Sequence, residues 1–169
     1  MEASGAESRH EGAYLDSSRL TPGEYLGMLA ALVLFASLFL PWFTTSADNP
    51  NSRLAGASGG DGVSAWQVFG TLDWLLVAAC AAPFILTWIV ARGHSLTWKP
   101  GEVTMVVGIV AFVLILCNGI ILGRPGEDSV EIGLGVGYFV ALLAAAGMFV
   151  AGYLRQSLYG DQRKPPGVL

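Results

Sequence analysis

The sequence predicts an all-α fold, a four-helix transmembrane bundle with one long outer loop. Of its 169 residues, 53% are hydrophobic and only 13% are charged, whereas soluble domains have about 25% charged residues. The charged residues are also segregated, because four long segments are almost free of Asp, Glu, Lys and Arg. A helix needs about 20 apolar residues to cross a bilayer. We therefore predict four spans, at about 24–43, 72–91, 101–122 and 132–154.

The positions of the basic residues predict the orientation. If the chain crosses the membrane four times, seven of the nine Lys and Arg residues lie on the side that holds both termini. The positive-inside rule then places both termini in the cytoplasm of a multi-pass cell-membrane protein. The domain organisation follows as a disordered cytoplasmic tail (1–20), a four-span membrane domain (21–156) and a second cytoplasmic tail (157–169). A cleaved signal peptide ending near Ala47 is the alternative for the first fifty residues.

Two capping boxes mark predicted helix starts. Thr21 and Glu24 form the first, immediately before span one, and Ser64 and Gln67 form the second, near the end of the long outer loop. The second box predicts a short interfacial helix over 65–70. The alternative is that Gly70 bends an extended start of span two.

Small residues predict how the spans pack. Span four carries small side chains at every fourth position, which lets helix backbones approach closely. The predicted helix-packing face consists of Gly133, Gly137, Ala141 and Ala145.

Aromatic residues flank the long outer loop and are candidates for partner or lipid contact. They are Trp42, Trp66, Phe69 and Trp74. The alternative is an ordinary aromatic belt at the membrane interface.

Asp73 and Arg124 both lie at outer helix ends and could form an ion pair.

Asn118 is the strongly polar residue of span three. We predict that it makes a polar contact inside the membrane, either an interhelical hydrogen bond or part of a polar path. Pro83 in span two removes one helical hydrogen bond and predicts a kink.

The residues argue against several function classes. Haem binding within the membrane needs an axial ligand there, but His10 and His94 lie in cytoplasmic segments. Cys80 and Cys117 lie in separate spans, and no cluster with metal-ligand spacing occurs. We therefore predict no catalytic, cofactor or metal site. The sequence has no basic stripe that could meet a phosphate backbone, so we predict no nucleic-acid partner.

Two hypotheses for function remain. The first is a non-enzymatic structural or accessory subunit that associates through small-residue helix faces. Its partners would be membrane lipids and either another membrane protein or a second copy. The alternative is a small transporter or lipid-binding protein with a cavity near Asn118 and Pro83.

The segments flanking the outer loop also carry a resemblance. Leu40-Pro41-Trp42-Phe43, then 63–69 and Leu72-Asp73-Trp74, together with the Ala- and Gly-rich last span, resemble uncharacterised small four-span membrane proteins of high-GC Gram-positive bacteria. The resemblance implies a multi-pass membrane protein and transfers no functional residues.

Overall fold

The computed structural model describes residues 20–92, 98–99, 101–125 and 131–159. Five α-helices and five short β-strands occur in these ranges. In chain order they are α1 (Pro22–Ser37), β1 (Pro41–Thr45), β2 (Arg53–Leu54), β3 (Ala57–Ser58), β4 (Gly62–Ser64), α2 (Ala65–Val68), α3 (Thr71–Ala91), α4 (Glu102–Leu116), β5 (Ile132–Leu134) and α5 (Val136–Tyr159). A π-helical turn, Cys117–Ile121, extends α4.

Three helices are long and apolar enough to cross a membrane: Thr71–Ala91, Glu102–Ile121 and Val136–Leu158. They confirm the helical prediction for spans two, three and four. Span one is shorter than predicted, because α1 has 16 residues and a rise of about 24 Å. The hydrocarbon core of a bilayer is about 30 Å thick, so a crossing by α1 stays a prediction.

The all-α prediction is wrong at one end of the molecule, where a small sheet forms. Strand β1 lies between β4 and β5, and both pairs are antiparallel. Phe43 pairs with Val63 on one side and with Leu134 on the other. Pro41 cannot donate a backbone hydrogen bond and favours an extended residue before it. Helix α1 therefore ends at Ser37, and not near Phe43 as predicted for span one.

The predicted start of span four is also wrong. Residues Ile132–Leu134 form β5, and α5 begins only at Val136. Gly133 consequently belongs to the sheet, where it pairs with Thr44, and not to the helical packing face.

We call the sheet, the β2–β3 hairpin and α2 the cap, which comprises residues 41–69 and 131–135. The bundle end that carries it is the cap end, and the opposite end, where α1 begins and α5 finishes, is the terminal end. Helix α5 packs extensively on α1 and α4, and α3 closes the bundle by contacting the same two helices.

Both predicted capping boxes form. The backbone N–H of Thr21 donates to Glu24 Oε2 over 2.7 Å, and that of Ser64 donates to Gln67 Oε1 over 2.9 Å. The short helix predicted over 65–70 is observed as α2, Ala65–Val68.

Helix α3 runs without interruption from Thr71 to Ala91 through the buried Pro83, and the kink stays a prediction. Helix α5 continues to Tyr159, three residues beyond the predicted end of the membrane domain. Residues 1–19 and 160–169 of the predicted tails lie outside the described residues.

Candidate functional site

Trp42 is a structural residue of the cap. Its side chain is fully buried, and its indole nitrogen donates a hydrogen bond of 2.8 Å to the carbonyl of Ser37. Its ring meets Tyr138 and Phe69 edge-on, with centroids 5.7 Å and 5.9 Å away. The prediction that Trp42 contacts a partner or lipid is therefore corrected, because the fold itself covers this side chain.

Trp66 and Trp74 form an aromatic patch at the cap end together with Phe39. The two indole rings lie 5.6 Å apart, and Trp66 lies 5.9 Å from Phe39. Trp74 is 67% exposed and Phe39 is 61% exposed. We call these three residues the aromatic patch. Phe39 was not among the residues predicted to contact a partner or lipid. Its spacing of four from Phe35, whose ring it contacts, is the signal of a shared helix-like face.

Phe69 faces the interior and not the patch. Its ring packs against Trp42 and Phe43, and the side chain is only partly exposed. Phe69 therefore anchors α2 to β1 and contributes little to an outer surface.

Asp73 is buried beside the aromatic patch. It is 1% exposed, and within the described part of the chain neither carboxylate oxygen has a hydrogen-bond partner. Its position in the first turn of α3 stabilises negative charge through the helix dipole. The predicted ion pair with Arg124 does not form, since both Asp73 oxygens are without a partner in the described residues. The Arg124 guanidinium donates a hydrogen bond to the carbonyl of Ile132.

The predicted packing face is an internal seam. Ala141 and Ala145 are fully buried, and a Cβ at Gly137 would lie 2.8 Å from Trp42 Cδ1 and 2.9 Å from the carbonyl oxygen of Pro41. These small residues bring α5 against its neighbours within the same chain. This face of α5 is therefore already buried by contacts within the chain.

Asn118 bonds within its own helix. Its side-chain amide donates a hydrogen bond of 2.9 Å to the carbonyl of Leu114, four residues earlier. The backbone angles of Asn118 are non-helical at the π-helical turn. The hydrogen bond is therefore intrahelical, in contrast to the interhelical bond predicted from the sequence.

The cavities between the described helices include a small one at the terminal end and an open groove. A cavity of about 30 Å³ at the terminal end is lined by Glu24, Pro83, Thr104 and Arg155, among others. The Arg155 guanidinium forms an ion pair with Glu24 there. A larger open groove of about 310 Å³ lies between α3 and α4 and ends near Leu114. Asn118 lines neither cavity.

The described residues include two cysteines and no metal-ligand cluster. No group of three or more His, Cys, Asp or Glu side chains in these ranges could hold a metal ion. Cys80 and Cys117 are free thiols within α3 and the π-helical turn. What the arrangement provides is an aromatic surface, a buried carboxyl and an apolar groove.

Comparisons with protein-family models, with curated proteins and with solved structures found no match. The resemblance to four-span proteins of high-GC Gram-positive bacteria stays a prediction.

Proposed function

We propose that this chain is an integral membrane protein that acts as a structural or accessory subunit and has no enzymatic activity. Its three long apolar helices support insertion into a membrane. The observation that carries the proposal is the aromatic patch, in which Phe39 and Trp74 are mostly exposed beside the structured cap. Exposed Trp residues in a cluster are typical of interface hot spots.

The internal seam favours the patch as the contact surface. The small-residue face of α5 is buried against this chain's own helices, so it offers no surface to a second protein. The partner in this proposal is another membrane protein or a second copy, bound at the cap end, with lipids around the remaining helices.

An ordinary aromatic belt is the competing explanation of the patch. Belt tryptophans sit at the headgroup level, where the indole N–H meets water or polar lipid groups. The indole nitrogen of Trp66 is buried and has no hydrogen-bond partner in the described ranges. This shielding is unlike that of a belt tryptophan and supports a packing role for Trp66 against Trp74, whose ring lies 5.6 Å away.

The test is native mass spectrometry of the chain extracted gently from its own membrane. We expect a protein partner at fixed stoichiometry, lost in Trp74→Ala because the exposed ring supplies contact area. The matched control is Leu143→Ala, since Leu143 is 74% exposed on α5 and lies outside the patch. A monomer in the wild type, or a partner retained by Trp74→Ala, would refute the proposed contact.

The orientation belongs to the same proposal and has its own test. With both termini in the cytoplasm of a cell-membrane protein, the cap faces outward. A reporter fused after residue 60 should read as exported, and one fused after residue 169 should read as cytoplasmic. A cytoplasmic signal from the first fusion contradicts the orientation.

The cavity geometry does not favour the transporter alternative. That hypothesis joins Asn118 and Pro83 in one cavity, but Pro83 lines the small cavity at the terminal end and Asn118 lines neither. Neither of these two cavities therefore joins Asn118 to Pro83.

A further inference from the structure

Exposed aromatic side chains occur at two levels along the bundle. On or directly after each of three helices, an aromatic residue near one end of the bundle is followed fourteen residues later by another near the opposite end. All six side chains are about half exposed or more, and fourteen residues of α-helix rise about 21 Å. The pairs are Tyr25 and Phe39 for α1, Trp74 and Trp88 for α3, and Phe139 and Tyr153 for α5.

The packing of α1 on α5 places their tyrosines at the same level. A Cβ at Gly27 would lie 3.7 Å from Ala151 Cβ. Tyr25 comes two residues before Gly27, and Tyr153 comes two residues after Ala151. Because α1 begins where α5 finishes, both tyrosines lie equally far toward the terminal end.

The phenylalanines of the same two helices share a level at the cap end. A Cβ at Gly137 would lie 2.9 Å from Leu40 Cβ, and Phe39 and Phe139 are close neighbours of these residues in the chain. The N–H of Phe39 donates a hydrogen bond of 3.2 Å to the carbonyl of Ala36. A tight turn therefore continues α1 as far as the cap-side level.

Helix α3 carries its two tryptophans at about the same levels. Trp74 lies in the aromatic patch at the cap end. A Cβ at Gly27 would lie 3.8 Å from Pro83 Cβ, so Trp88, five residues further along, lies within about one turn of the terminal-side level. We call the rings at the two ends the cap-side and terminal-side ring levels.

The exposed faces of α3 and α5 point away from each other. Each of these helices packs on α1 and on α4, so the two occupy diagonal corners of the bundle. One protein partner cannot cover both faces, whereas lipid surrounds both.

Polar groups bound the apolar surface just beyond the ring levels. At the terminal end Glu24 and Arg155 form an ion pair, and charged side chains are costly inside the hydrocarbon. At the cap end the sheet begins at Pro41, and open sheet edges do not occur in lipid. From Glu24 to Pro41 the chain rises about 26 Å, less than the usual hydrocarbon core of about 30 Å. Helices α3 and α5 continue beyond both ring levels.

We infer that the chain selects phospholipids with short acyl chains, because the ring levels define a lipid-facing band only about 21 to 26 Å thick. Trp and Tyr rings prefer the headgroup level at both membrane surfaces, so the two ring levels set the height of the surrounding bilayer. Longer acyl chains have to compress around the band, and each ångström of mismatch costs free energy. The inference rests on the proposal that the chain is an integral membrane protein. It is independent of a protein partner, since a partner that covers Trp74 from the side leaves the ring levels unchanged.

The test measures which phospholipid contacts the full chain. The protein is reconstituted in vesicles of brominated dioleoylphosphatidylcholine, which quenches the fluorescence of neighbouring tryptophans, and unbrominated phosphatidylcholines compete with it. We expect dimyristoleoylphosphatidylcholine to restore fluorescence best, with a relative binding constant about twofold above that of the long-chain dierucoyl lipid. Equal constants, or a maximum at the dioleoyl or dierucoyl lipid, would overturn the inference.

Flotation of the vesicles at alkaline pH separates this inference from the proposal beneath it. A chain that does not float with the vesicles is not an integral membrane protein, and both then fail. A chain that floats but shows no preference for short acyl chains refutes the lipid inference alone.

Moving one ring outward should weaken the preference. Tyr153→Leu combined with Ser157→Tyr shifts the terminal-side ring of α5 by one turn, and both positions are exposed. We expect the ratio of the dimyristoleoyl to the dierucoyl binding constant to fall. The control Leu143→Phe changes an exposed residue between the ring levels and should keep the ratio. An unchanged ratio in the folded double variant would show that the ring levels do not set the preferred thickness.

Discussion

The hydroxyl of Tyr138 on α5 donates a hydrogen bond of 3.0 Å to the carbonyl of Ile115 on α4. Both residues are fully buried. The bond lies where α4 widens into its π-helical turn, and the Tyr138 ring packs directly on Gly119 of that turn. Such turns disrupt the regular helical hydrogen bonds. Asn118 and Tyr138 supply side-chain donors to two carbonyls of α4 at this point.

Tyr138→Phe tests this relationship. The substitution keeps the ring and removes the donor to the Ile115 carbonyl, so we expect the free energy of unfolding to fall by about 1 kcal/mol. Denaturant titration in detergent micelles measures the change. The control is Tyr153→Phe on the same helix, which should be neutral because Tyr153 is 55% exposed. An equal loss in both variants would show that the bond adds no stability.

The close approach of α4 and α5 predicts a second effect. A Cβ at Gly152 would lie 2.8 Å from Met105 Cα and still nearer to backbone atoms of Met105 and Gly101. Backbone cannot move aside as a flexible side chain can. We expect Gly152→Ala to cost about 1–3 kcal/mol of unfolding free energy, the range for overpacking.

Gly147→Ala is the matched control for that prediction. Gly147 lies on the same helix, and an added Cβ would meet only the Ala30 methyl group, at 3.3 Å. Alanine also favours helix over glycine, so the net change should stay within about 1 kcal/mol. If Gly147→Ala proves as harmful as Gly152→Ala, the effect comes from the glycine positions generally and not from the backbone contact.

The helices could be predicted because an apolar, charge-free segment can be recognised from neighbouring residues alone. Long segments without charged residues predict α3, α4 and α5. Strand β1 could not be separated in the same way. Pro41 argues against a continuing helix, and the β-branched Thr44 and Thr45 favour a strand, but these residues follow directly on the apolar run of α1. The pairing of Phe43 with Leu134 depends on contact between distant segments, which no local pattern reports.

The candidate site shows the same limit. The sequence singled out Trp42 and Trp74 on equal terms, since both border the outer loop. Tertiary packing then buries Trp42 completely and leaves Trp74 67% exposed. Likewise, the side chain of Asn118 bonds to the Leu114 carbonyl of its own helix, at the start of the π-helical turn. Composition and spacing cannot distinguish these outcomes.

Ser52 links the loop between β1 and β2 to the start of β5. Its hydroxyl accepts a hydrogen bond of 2.7 Å from the N–H of Ser46 and donates one of 2.8 Å to the carbonyl of Glu131. Ser52→Ala removes both, so we expect faster amide hydrogen exchange in β1 and β5 while the helices keep their protection. Ser58→Ala, at an exposed position of the hairpin, should leave exchange unchanged. Unaltered exchange in Ser52→Ala would mean that the sheet holds the cap without this link.

The contrast between the two tryptophans gives the last prediction. Trp42→Phe removes the donor to the Ser37 carbonyl and leaves a cavity among Phe69, Tyr138 and the seam, so it should cost about 2 kcal/mol of unfolding free energy. Trp74→Phe changes an exposed ring and should stay within about 0.5 kcal/mol of the wild type. Denaturant titration in micelles separates the two results. Similar losses would show that Trp74 supports the fold, and the aromatic patch would then be a structural cluster instead of a contact surface.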